Sequence, residues 1–198
     1  GWSRHLLVQL LETDNLLYKV VGMQLLVEST AVVMFHQIAD AKLEPVLTDL
    51  LYYFERDEAR HVGLGVLSLP AVLTGLSQAD AARLWWFQTK MNLEMIMGGI
   101  NLASAFETLG IDQAEMNLRG FKYHREILKR MKAEAPDRGA DAKEIRGLFK
   151  ISRAGQDWFQ RFLFSPQGRN PVEAKVFDAL VAVAQRTDRW LADRAPVT

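Results

Sequence analysis

The 198-residue chain contains no cysteine. That excludes disulfides, thiolate metal sites and cysteine nucleophiles, and it fits a reducing, cytoplasmic compartment. It also lacks an excess of either charge: 24 basic and 24 acidic residues leave a formal net charge of zero. No basic surplus points to nucleic acid, and no acidic tail is present. No apolar run reads as both long enough and free enough of charge to span a membrane. No secretory signal pattern opens the chain. Strand-like alternation, internal repeats and low-complexity segments are also missing. Histidine is scarce, with four residues.

What is present is a 49% hydrophobic, 24% charged composition, typical of a folded domain with a core of its own. The periodicity predicts an all-α bundle in one helical domain over 1–198. Residues 1–12 read as a helix tail, followed by a break and cap at Glu12-Thr13-Asp14-Asn15. Helices are expected over 15–39 and 45–73, with Pro45 in a first turn and Pro70 as a kink. Ser77 and Asp80 cap a third helix that Gly110 ends, and Asp112 opens a fourth that runs to Ala135. Short helices are expected at 141–150 and 156–164, and an amphipathic one over 171–194. The grouping is a helix hairpin over 16–75, a second over 77–135 and C-terminal helices over 141–198.

Two polar residues interrupt the apolar stripe of the first long helix (Leu17, Val21, Ala31, Val32, Phe35): Gln24 and Glu28. A charge in such a stripe is costly unless paired or bound to metal. On the next helix Glu58 lies in the stripe of Leu47, Leu51, Phe54, Val62, Gly65 and Leu69. His61, three residues on, shares its face. Glu58-Ala59-Arg60-His61 is the one Glu-x-x-His in the chain. With a turn near 42–43, Glu28 lies about 22 Å before it and Glu58 about 23 Å after it, at a rise of ~1.5 Å per residue. Glu28 and Glu58 are therefore level across an antiparallel pair, with His61 about one turn away, which is half of a dinuclear carboxylate site. Carboxylates suit hard iron or manganese ions, and an imidazole fixes one position.

Val21-Gly22-Met23-Gln24-Leu25-Leu26-Val27-Glu28 and Arg56-Asp57-Glu58-Ala59-Arg60-His61-Val62 resemble the second ligand half of the ferritin-like dimetal-carboxylate superfamily. The likeness is to the branch that includes the ribonucleotide reductase small subunit and related diiron oxidases and oxygenases, and it covers roughly 16–66. The resemblance implies Glu28, Glu58 and His61 as metal ligands and Asp57 as a carboxylate holding a ligand histidine. It implies two iron ions, or manganese and iron, per complete site. The function implied is dioxygen activation to oxidise or hydroxylate a small-molecule or lipid-like substrate. The alternative is a non-catalytic ferritin-like protein for metal binding, storage or partner binding. Leu25, Val32, Phe54 and Val62 are candidates for an apolar wall.

The sequence departs from the superfamily in having no second Glu-x-x-His. Three completions follow: a helix pair upstream of Gly1, a cryptic site using Glu94 and Glu126, or a homodimer, with outright loss of the metal as the remaining alternative. The aromatic, Met-rich third helix favours a dimer surface. His36 is expected beside the site rather than in it, Tyr52 and Tyr53 as ordinary packed tyrosines, and His124 with Glu126 as a surface pair.

Overall fold

A computed structural model describes residues 1–143 and 145–193, and every described regular element is helical. Among the described residues seven helices carry the fold: α1 (Trp2–Glu12), α2 (Leu16–Asp40), α3 (Pro45–Leu73), α4 (Gln78–Thr108), α5 (Gln113–Glu134), α6 (Arg153–Phe164) and α7 (Pro171–Asp193). Short 3₁₀ turns occupy Pro136–Arg138 and Pro166–Gly168.

The helix starts follow local chemistry. The Asn15 side chain accepts from the Tyr18 backbone N–H, Ser77 from Asp80, Asp112 from Glu115 and Ser152 from Gly155. Each satisfies an amide that the first turn leaves without a helical partner. Pro45 opens α3, where no amide hydrogen is needed, and the Glu44 carboxylate caps Leu47 at 2.7 Å. Gly110, with φ +68°, takes the left-handed turn that ends α4. Pro70 lies inside α3, and the helix continues to Leu73. The last helix is described to Asp193, so its expected end at Arg194 lies outside the described residues.

The expected helix over 141–150 does not form among its described residues. Gly147 adopts φ +76°, and a Cβ there would lie 3.0 Å from the Ala81 carbonyl oxygen. The buried Gln88 side chain takes over the hydrogen bonding. Its amide donates to the Gly147 carbonyl at 2.6 Å and its oxygen accepts from the Phe149 backbone N–H at 3.2 Å. Ile145 and Leu148 are thereby buried from an irregular segment, which periodicity alone reads as a short helix.

Helices α2 and α3 run antiparallel and pack along their length. Phe35 meets Phe54 with ring centroids 5.9 Å apart, and the His36 imidazole reaches the Glu55 carboxylate at 3.1 Å. Helix α5 lies against both, while α1 and α7 pack on α4. The main core joins Val21, Leu25, Val62, Val66, Leu69, Leu84, Ile127 and Met131. A smaller cluster of Leu6, Leu10, Leu26 and Met91 holds α1 to α2 and α4.

By length and composition α2 does pass as a membrane-crossing helix, with a mean hydropathy of 1.4 in its most apolar window. The expectation of no such run needs that correction. Its polar interruptions, Gln24 and Glu28, lie in a helix whose Val21, Gly22, Leu25, Leu26, Val32 and Val33 are packed inside the bundle. Burial of 39% of that window in the bundle accounts for part of its apolar composition.

Candidate metal centre

The middle of α2 is a π-helix over Val21–Val27 that returns to α-geometry at Glu28, whose backbone N–H bonds the Met23 carbonyl five residues back. A π-turn widens the helix by one residue and re-aims the side chains after it; such segments are frequent at functional sites. Here it ends on Glu28. No sequence signal marked it, because the apolar period across 17–35 averages over the widened turns.

Glu28, Glu58 and His61 each offer a ligand atom, and these atoms all lie within 4.8 Å of one another. His61 Nδ1 is 3.4 Å from Glu58 Oε2 and 3.9 Å from Glu28 Oε1. No other comparable group of carboxylates and imidazoles converges among the described residues. The Glu28 side chain is 16% exposed, against 29% for Glu58 and 46% for His61, so the cluster grades from the seam between α2 and α3 out to the surface.

The donor set fits a hard divalent ion. Glu28 Oε2 is buried with no hydrogen-bond partner, a state most buried carboxylate oxygens avoid. Burial raises the Glu28 pKa, the His61 imidazole opposes that rise and the Glu58 carboxylate adds to it. The two carboxylates repel one another here and one oxygen is orphaned, and a cation or a proton at this point relieves both.

The other predicted positions fall elsewhere. Asp57 points to solvent and pairs with Arg60 at 3.3 Å, so it is not brought to a histidine. His36 joins Glu55 and Asp40 in a separate polar group, where Arg119 and the Tyr52 hydroxyl also reach Asp40. Glu94 is buried but is held by Gln9 at 2.8 Å and Lys90 at 3.7 Å. Glu126 pairs at the surface with Lys129. Neither supplies a donor to the cluster. His124 turns to the Phe149 carbonyl rather than to Glu126, and burial lowers its pKa. Leu25, Val32 and Val62 are core residues, whereas Phe54 is 46% exposed. Tyr52 and Tyr53 are exposed rather than packed. On α4, Met91 and Met97 are buried and Met95 is partly buried, while Trp85, Trp86, Leu93 and Leu102 are exposed, so the methionines turn mainly inward and the exposed apolar residues of that helix are aromatic and leucine side chains.

No protein-family model matches the chain, and no curated protein or solved structure is found similar to it. Fold and site therefore define an all-α helical bundle with a carboxylate–histidine cluster, and the function is argued from that cluster alone.

Proposed function

We propose that the chain is the metal-binding part of a ferritin-like dimetal-carboxylate oxidoreductase that uses dioxygen to oxidise or hydroxylate an organic substrate. The observation that carries this is the meeting of Glu28 with Glu58 and His61 across α2 and α3, with one Glu28 oxygen buried and unpaired. Glu28 and Glu58 hold the ion by charge, and His61 adds a neutral nitrogen donor. Leu25 and Val62 limit water on the buried side. Iron, or manganese with iron, would supply the electrons that reduce dioxygen. A complete pair of ions requires a further Glu and a further Glu-x-x-His, which no other described residues contribute.

A second reading is a non-catalytic ferritin-like metal-binding protein. The 46% exposure of His61 favours it, since dioxygen chemistry calls for a site that restricts water. The test is anaerobic loading with ferrous ion, metal quantification after desalting, and then oxygen uptake on exposure to air. Both readings expect iron to be retained, and lost in Glu28→Ala and Glu58→Ala. Oxygen uptake that requires both glutamates supports the oxidoreductase. Retention without uptake supports the second reading, and no retention rules out both.

A further inference from the structure

Gln24 is one helical turn before Glu28 on α2, and Gly65 is one turn after His61 on α3. The two helices are antiparallel, so Gln24 faces Gly65 one layer below the cluster. A Cβ on Gly65 would lie 2.8 Å from Gln24 Oε1 and 3.0 Å from Gln24 Cβ. The missing side chain is what admits the glutamine to this position. Gln24 Oε1 is buried and has no hydrogen-bond partner.

Two acceptor oxygens, Gln24 Oε1 and Glu28 Oε2, thus sit one turn apart in the same seam, each without a donor. As the amide is oriented, the two oxygens cannot satisfy each other, because both only accept. A cation, or a water bound to one, is a partner that either oxygen can take. Charge points the same way. Two carboxylates, a neutral imidazole and a neutral amide oxygen balance one divalent ion with no residual charge.

We propose that Gln24 is a further donor of this site, contacting the ion directly or through one bound water. Glu28, Glu58, His61 and Gln24 then hold a single divalent cation within this one chain. Gly65 is the position that makes room for the amide. The inference rests on the proposed metal-binding reading and adds to it the fourth residue and the count of one ion per chain.

The experiment titrates the metal-free chain with Mn²⁺, following free ion by electron paramagnetic resonance, and repeats the titration with Co²⁺, following its visible bands. The native chain is expected to bind one ion. Gln24→Leu is expected to weaken binding by about tenfold or more, in the range seen when groups supporting a metal site are removed. Gly65→Ala should do the same by displacing the amide. Gln24→Glu should tighten binding and shift the Co²⁺ bands, which a purely packing role would not do. Gln37→Leu removes another buried unpartnered amide oxygen on α2 and should leave affinity unchanged. If Gln24→Leu fails to fold by circular dichroism, Gln24→Met, nearer in shape, is read in its place. Unchanged affinity in the Gln24 and Gly65 variants, with loss in Glu28→Ala, overturns the Gln24 assignment and leaves the metal site standing. No ion bound by the native chain overturns both.

Discussion

Glu28 illustrates a residue placed against its own preference. A carboxylate with one oxygen orphaned in a seam destabilises the metal-free fold, because the desolvation of that oxygen is not offset by a hydrogen bond. Replacing it with an apolar residue of similar length removes that cost. Glu28→Met is therefore expected to be more stable than the native chain in the presence of EDTA by about 1 kcal/mol, seen as a higher melting temperature, while losing Mn²⁺ binding. A lower melting temperature would mean that the carboxylate is satisfied without metal. Stability given up at one position for a ligand is the usual trade between fold and function. Asp57 shows the opposite. Its neighbour in sequence is a ligand candidate, yet its own side chain leaves the seam for Arg60. One step along a helix rotates a side chain by about 100°, so adjacency in sequence is separation in space.

At the scale of elements, the π-segment of α2 meets α1 at Gly22. A Cβ on Gly22 would lie 2.2 Å from a methyl of Leu10, which is fully buried. Gly22→Ala should accordingly cost about 1–3 kcal/mol, seen as a lower denaturation midpoint, because Leu10 has no free space to retreat into. An unchanged midpoint would show that α1 can shift away. The junction of α6 and α7 gives a pH prediction. The Arg161 guanidinium, then the Asn170 backbone N–H and the Trp158 indole, hold the Glu173 pKa down from 4.5 to about 2. A depressed carboxylate stabilises the fold above its unfolded value, and that contribution is lost as pH falls through the folded value. Native protein is therefore expected to lose stability between about pH 4.5 and 2 more steeply than Glu173→Gln, measured by urea midpoints across that window. Parallel curves for the two proteins would assign the acid sensitivity elsewhere. At neutral pH the same substitution should lower the midpoint, since Arg161 loses its charged partner.

At the scale of the whole molecule, the proposed ion between α2 and α3 would join the two helices at their seam. Binding only the folded state, it should raise the melting temperature with ion concentration, reaching about 2.7 kcal/mol at a hundred times the dissociation constant. Glu58→Ala should show no such dependence. A shift of equal size in both proteins would place the ion away from this seam.

The sequence by itself determined the helical class, the helix boundaries near caps such as Asn15, Ser77 and Asp112, and the level placement of Glu28 with Glu58, with His61 a turn away. Each follows from local hydrogen bonding or from the fixed rise and turn of a helix, both readable from neighbours in the chain. Tertiary structure alone decided the rest. It put the π-turn before Glu28, set Gln24 over Gly65, drew Glu94 to Gln9 and replaced a short helix near Gly147 with a loop held by Gln88. These depend on which surfaces of distant segments meet, and a buried polar group takes whatever partner packing brings to it. The helix period names the residues that share a face, and the packing determines what that face touches.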